Sequence, residues 1–157
     1  MHVVIAGAGV AALEATAALH RLAADRVRLT LIAPDRTYVT RALRPLTAFG
    51  VTGPPQISVR GLADRLGADL AHDRIHWVDR DRRTAHCRSG AAIAFDALVL
   101  GVGATPHIRF PHALALHDGA APGLSQLVSE ITSGDVRRVA FVAPERMAWP
   151  LPLYEAA

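Results

Sequence analysis

Apolar residues in the first third of the chain fall into two short runs flanking a longer Ala-rich stretch. Residues 2–6, His-Val-Val-Ile-Ala, and residues 28–32, Arg-Leu-Thr-Leu-Ile, are β-branched or leucine-rich and predict buried strands. Between them, residues 10–24 combine high helix propensity with a narrow polar face, which predicts a helix. A strand, a helix and a second strand in that order make a βαβ unit, whose two strands run parallel. The pattern then breaks over residues 33–53, punctuated by Pro34, Pro45, Gly50 and Gly53 and followed by Pro54-Pro55. Residues 57–66 read as a short amphipathic helix. A second group of strands is predicted at 75–78, 84–88 and 91–95, then in the apolar run 98–102, with the middle two joined by a tight turn at Ser89-Gly90. Residues 124–132 read as a helix and 137–142 as a further apolar strand. No internal repeat is visible.

Composition narrows the chemistry. The chain has 157 residues, the size of one ordinary domain, and at 51% hydrophobic and 20% charged it is globular rather than disordered. All 17 basic residues are Arg. Without Lys there is no Walker A loop, no pyridoxal Schiff base and no Tyr/Lys reductase pair, because each needs the ammonium group. The single Cys, Cys87, excludes an intramolecular disulfide, a Cys-x-x-Cys redox pair and a multi-Cys zinc site within one chain. Redox chemistry therefore requires a borrowed cofactor. Thirty Ala with no Lys and no Asn fit the codon bias of a GC-rich genome, so the basic balance is not read as a nucleic-acid signature. The Arg residues are scattered and aromatics amount to 5%, and no nucleic-acid partner is expected.

No run approaches the ~18 uncharged apolar residues of a membrane span. Glu14, Asp96 and scattered Arg interrupt each candidate, and a strand pattern beginning at His2 leaves no room for a signal peptide. The expectation is a cytoplasmic protein, with peripheral membrane contact left open.

The segment Gly7-Ala8-Gly9-Val10-Ala11-Ala12 is a G-x-G-x-x-A sequence at the junction of the first strand and the first helix. Gly7 permits the tight turn, Gly9 leaves room for a pyrophosphate to approach the helix N-terminus, and Ala12 is small enough for close helix–strand packing. The acidic residue that grips ribose hydroxyls in such units belongs at the end of the second strand. Counting from Ala12 reaches Ile32 and Ala33, so either Asp35 substitutes or the ribose is held by backbone. His72 and His76 are four apart, and His107, His112 and His117 recur every five residues. Four-residue spacing gathers a metal only on a helix, and five-residue spacing matches no regular face, so no metal site is expected. Cys87 reads as a packing residue on a strand, and Trp149 as an interdomain packing element.

A β-meander inserted between parallel strands, followed by Phe95-Asp96-Ala97-Leu98-Val99-Leu100-Gly101-Val102-Gly103-Ala104-Thr105-Pro106, extends the picture. Together with Leu31-Ile32-Ala33-Pro34-Asp35-Arg36-Thr37-Tyr38-Val39 and Trp149-Pro150-Leu151-Pro152-Leu153-Tyr154-Glu155, these segments resemble the FAD/NAD(P)-binding pyridine nucleotide-disulfide oxidoreductase superfamily. Within it the chain looks like the N-terminal part of the cysteine-independent branch, which includes type II NADH dehydrogenases and sulfide:quinone oxidoreductases.

The resemblance implies an α/β, Rossmann-like FAD-binding domain with a parallel sheet and a β-meander crossover over residues 1–134, and an incomplete start of a second dinucleotide-type domain over 135–157. Gly7, Gly9, Val10, Ala11 and Ala12 would line the FAD pyrophosphate. Pro34 and Asp35 would flank the adenosine ribose, and the backbone near Ile75 would meet the adenine edge. Gly103 and Ala104 would let the chain pass close to the cofactor. Arg41 would lie toward the flavin, where a fixed positive charge favours the reduced, anionic form, unless it is one more surface Arg.

Two departures matter. The family's second Gly-rich turn is absent after residues 139–142, where Ala143-Pro144-Glu145-Arg146 follows, so NAD(P)H binding there lacks its motif. The C-terminal Gly-Asp segment that closes the flavin site is also missing, which predicts a fragment or truncated frame. The expected function is the FAD-binding portion of an oxidoreductase passing electrons from a small-molecule donor to an acceptor such as a quinone. No catalytic acid–base residue stands out, and the oligomeric state is not legible. The alternative is a non-enzymatic adenine-nucleotide-binding module, or a truncated half that needs a partner chain.

Overall fold

The computed structural model describes residues 1–40, 55–104, 113–114 and 121–142. By its contacts the chain divides into two compact units, residues 1–38 with 56–104, and residues 39–55 with 105–157.

The first unit is built on β1 (His2–Ala6), α1 (Val10–Ala23) and β2 (Arg28–Ile32), the βαβ unit that the hydrophobic pattern predicts. A single 3-10 turn over Ala24–Arg26 ends α1, and the Arg26 guanidinium donates to the Leu22 and Ala23 carbonyls that the helix leaves unpaired. Beyond β2 come β3 (Thr37–Tyr38), β4 (Ile57–Ser58), α2 (Val59–Arg65), β5 (Ala68–Ala71), β6 (Ile75–Asp79), β7 (Thr84–Cys87), β8 (Ala92–Ala94) and β9 (Ala97–Leu100). The main sheet has the order β5-β2-β1-β9, and every pairing in it is parallel. β6, β7 and β8 form a separate antiparallel sheet, and β3 pairs with β4.

Period-2 alternation assigns the two faces of the main sheet. Val3, Ile5, Leu29 and Leu31 are buried on one face with Ala12 of α1 and with Val59 and Ala63 of α2. Val4 and Ile32 are buried on the other, against Ala85 and Cys87 of the meander and half-buried Ile75, Ile93, Phe95 and Leu98. The result is three layers: helices, parallel sheet, meander. A sheet covered on both faces needs near-continuous apolar strands, which is why β1 and β2 read so clearly in the sequence.

The meander spans the sheet from one edge to the other. β6 starts four residues after β5 ends at Ala71, and the amide of Phe95 after β8 donates to Arg83 O in the β6–β7 turn. The chain then re-enters the main sheet beside the start of β1, where Asp96 and His2 pair reciprocally: Asp96 N donates to His2 O at 2.8 Å, and His2 N to the Asp96 carboxylate at 2.6 Å.

Three segments differ from the sequence-based expectation. β5 is a strand that the hydrophobic pattern misses, since Ala-Asp-Leu-Ala has no β-branched residue. Its strand state comes from pairing with β2, Leu29 opposite Ala68 through Ile32 opposite Ala71. The predicted helix over 57–66 begins two residues late, because Ile57 and Ser58 pair with β3 and the Ser58 hydroxyl then caps α2 by accepting from Gly61 N at 3.2 Å. The predicted strand over 137–142 is not formed: among the described residues it has no ladder partner, and Val139, Phe141 and Val142 are exposed. An apolar run becomes a strand only where its backbone groups find a neighbour.

In the second unit the described helix is α3 (Ala121–Ser133), three residues longer at its start than the expected 124–132. Pro122 is compatible with a first turn, whose amides need no intrahelical acceptor. Gly134, with φ +84°, ends the helix by donating to Ile131 O.

Candidate functional site

In a parallel sheet all strands end on one edge, and the turns that leave it form a common crevice. Here that edge gathers the turn after β1, the segment after β2, the corner after β5 and the segment after β9. Every candidate residue that the structure describes belongs to this edge or adjoins it. Arg41 lies outside the described residues, as do His107, His112, His117 and Trp149.

The four glycines at the edge divide into two pairs with different jobs. Gly7 has φ +118°, and its amide donates to Ile32 O at 2.8 Å, which ties the turn to the end of β2. A Cβ on Gly7 would collide with the Gly101 carbonyl oxygen and lie 2.7 Å from its carbonyl carbon. A Cβ on Gly101 would in turn sit 2.9 Å from the Ala12 Cβ and 3.1 Å from its amide nitrogen. Gly7, Gly101 and Ala12 thus close the junction of β1, β9 and α1, where nothing larger fits. Gly9 and Gly103 are the opposite case, since a Cβ on either would meet no atom within 4 Å. Gly103 has φ +76°, so conformation as well as space favours glycine there.

Gly9 directly precedes α1, and Gly103 lies two residues beyond Gly101, which packs on Ala12 of that helix. Gly9 is the N-cap, its carbonyl accepting from Leu13 N at 3.0 Å, while the amides of Val10, Ala11 and Ala12 take no backbone acceptor among the described residues. Val10 and Ala11 are exposed, and no acidic side chain stands in the first helical turn. Unpaired amides at the positive end of a 14-residue helix, with no carboxylate in its first turn, are features that favour an anionic group such as a phosphate. Gly9 and Gly103 keep the approach clear. Ala104 is exposed next to Gly103, and Leu100 and Val102 present apolar side chains to solvent nearby in the chain.

At the end of β2, Ala33 is fully buried and its amide is occupied by Ala71 O at 3.1 Å. It offers neither a side chain nor a free N–H to a ligand. Pro34 and Asp35 follow and are exposed, so Asp35 is the carboxylate at this corner. Ile75 is half-buried at the start of β6 and packs against the cluster of Val4, Ile32, Ala85 and Cys87.

Gly101 is the residue that sequence reasoning passed over. It stands within the Gly-Val-Gly run after β9, but only the pairing of β9 with β1 reveals that it packs on Gly7.

Cys87 is buried, and burial first and the nearby Asp73 charge second push its thiol up from the ordinary range, as befits a packing residue. Among the described residues no group of three or more His, Cys, Asp or Glu comes together to hold a metal ion, and no helix is long and apolar enough to cross a membrane.

The fold and the crevice define a Rossmann-like α/β unit with a meander crossover. Solved structures share it. A sulfide:quinone oxidoreductase from Aquifex aeolicus superposes with a TM-score of 0.71 over 84% of this chain, at 21% identity. A NAD-dependent persulfide reductase from A. fulgidus gives 0.61 over 85% at 20% identity, and a ferredoxin reductase from Rhodopseudomonas palustris 0.59 over 84% at 23%. This chain spans about a third of each of those proteins: 32%, 28% and 34% respectively. Neither a protein-family model nor a curated protein sequence matches it.

Proposed function

We propose that this chain is the FAD-binding portion of a flavin-dependent oxidoreductase. The observation that carries the proposal is the division of the glycines: Gly7 and Gly101 seal the strand–helix junction, while Gly9 and Gly103 leave a clear passage across the start of α1. A dinucleotide laid along the sheet edge needs that arrangement, with its pyrophosphate at the helix N-terminus.

In this reading Gly9, Val10 and Ala11 hold the pyrophosphate through backbone amides at a turn that Gly7 and Ala12 shape, and Asp35, after Pro34, accepts from the ribose hydroxyls. The backbone at Ile75 borders the adenine, and Gly103 and Ala104 pass beneath the flavin half. FAD, when bound, supplies the electron transfer, and the protein binds, orients and electrostatically tunes it. The electron donor is a reduced small molecule, NAD(P)H among the candidates, and a quinone is one candidate acceptor. Residues 1–134 form the FAD-binding portion, and 135–157 begin a second dinucleotide-type domain.

The test is to purify the chain, incubate it with FAD and remove free ligand. Retained flavin absorbance at a one-to-one ratio is the expected result, and a chain that retains neither FAD nor ADP overturns the reading.

A second reading is a non-enzymatic adenine-nucleotide holder, favoured by the unpaired amides at the start of α1, which serve any nucleoside diphosphate alike. It predicts equal affinity for ADP and FAD, because the flavin half would then add no contact.

A further inference from the structure

The corner between β5 and β6 is tied together more densely than its length requires. Ala71 O accepts two amides, from Ala33 at 3.1 Å and from Asp73 at 2.9 Å, so the end of β5 is bound both to the end of β2 and to its own following turn. The Asp73 carboxylate then takes the Arg74 amide at 2.7 Å on one oxygen. On the other it takes the Ser89 amide at 3.4 Å and the Ser89 hydroxyl in a very short contact. Ser89 Oγ also accepts from Ala91 N at 3.3 Å, and Arg88 N donates to Arg74 O at 2.9 Å. The Asp73 side chain thus joins the start of β6 to the β7–β8 turn, while its backbone amide and that of Ala33 share Ala71 O at the ends of β5 and β2.

The location matters because β1 sits inside the sheet order β5-β2-β1-β9. A dinucleotide whose pyrophosphate lies at the β1 turn must extend one half toward β2 and β5 and the other toward β9. The passage glycine Gly103 stands on the β9 side. The β2 and β5 ends, with Asp35 and Ile75, are left for the adenosine half.

Resting on the dinucleotide reading, we propose that Asp73 is a positioning residue for the adenosine half, fixing the chain from Ala71 to Ile75 against which the adenine lies. It does so through Ser89 and the Arg74 amide and touches no reacting atom. Asp79 supplies an internal control. It also caps a meander turn, accepting the Arg82 amide at 2.9 Å and its guanidinium at 3.1 Å, but at the opposite end of β6 and away from the crevice.

The experiment measures FAD, ADP and FMN affinity of the full chain by calorimetry, for the unaltered protein and for Asp73→Ala, Asp73→Asn, Ser89→Ala and Asp79→Ala, each with a thermal melt. Asp73→Ala is expected to weaken FAD and ADP by the same factor, about tenfold, and to leave any FMN binding unchanged. Asp73→Asn keeps an acceptor oxygen and is expected to recover most of the loss. Asp79→Ala is expected to lower the melting temperature with no change in affinity. If Asp73→Ala does not fold, a fall in ADP affinity in Ser89→Ala at an unchanged melting temperature supports the assignment, and unchanged affinity in Ser89→Ala overturns it. Binding by the unaltered chain with unchanged affinity in Asp73→Ala overturns this assignment alone. No binding of FAD or ADP by the unaltered chain overturns the dinucleotide reading, and this assignment with it.

Discussion

Gly7 and Gly101, ninety-four positions apart in sequence, meet backbone to backbone. A Cβ on Gly7 would overlap the Gly101 carbonyl group, and one on Gly101 would press on Ala12. The two glycine-rich segments are therefore one packed junction with a shared outer passage, and substitutions should separate the packing role from the ligand role.

Gly7→Ala places a methyl group against a backbone carbonyl at φ +118°, where neither partner is a flexible side chain. Strain and overpacking together predict a loss of about 2–5 kcal/mol, visible as a lower urea midpoint. Gly101→Ala should cost about 1–3 kcal/mol. Adding Ala12→Gly removes the 2.9 Å methyl–methyl clash and should restore part of that loss, a positive coupling in the double-mutant cycle.

Gly9→Ala meets nothing within 4 Å, so folding stability should stay within about 0.5 kcal/mol of the unaltered chain. Affinity for FAD should nevertheless fall tenfold or more, because the methyl group occupies the approach to the α1 amides. Equal affinity in the two proteins would remove Gly9 from the site.

Asp35→Ala tests the ribose contact. Hydrogen bonds to a charged group are worth about 1.5–3 kcal/mol, which predicts at least a tenfold loss of ADP affinity with no change in the melting curve. Retained affinity would mean that backbone groups hold the ribose.

The carboxyl of Asp73 is held below the usual aspartate range by the Ser89 hydroxyl and then the Arg74 amide, and that of Asp79 chiefly by the Arg82 amide. Both groups bind a proton more weakly in the folded chain than in the unfolded one. Their contribution is therefore complete above the unfolded aspartate value of about 3.9 and fades as pH falls through the lower folded values. Urea midpoints should be flat in these two groups above about pH 5 and drop below pH 4. The double variant Asp73→Asn, Asp79→Asn should show a shallower acid decline.

Cys87 should react slowly with a thiol reagent in the native chain and rapidly in urea, because its side chain is buried between the meander and the sheet and its thiol is pushed up. Rapid native labelling would show that the meander opens readily.

Much of this protein is readable from local chemistry. The apolar runs of β1 and β2 around an Ala-rich helix dictate a parallel βαβ unit, because each piece has one satisfactory way to bury its surface. Gly7, Gly9 and Ala12 announce a close approach at the turn, and Ser89-Gly90 announces the hairpin of the meander. These 157 residues also contain no Lys and a single Cys, so they supply neither a Lys-dependent site nor a Cys pair. What tertiary structure decided depends on groups brought together from far apart. Ala68–Ala71 has no strand propensity of its own and becomes β5 only because β2 offers it a ladder, whereas 137–142 has the composition of a strand and no partner among the described residues. The pairing of β9 with β1 turns Gly101 into the partner of Gly7, and the meander's path brings Ser89 of the β7–β8 turn onto Asp73. Propensity and periodicity act over a few residues, but a collision between two backbones or a shared carboxylate exists only once the sheet order has brought them into contact.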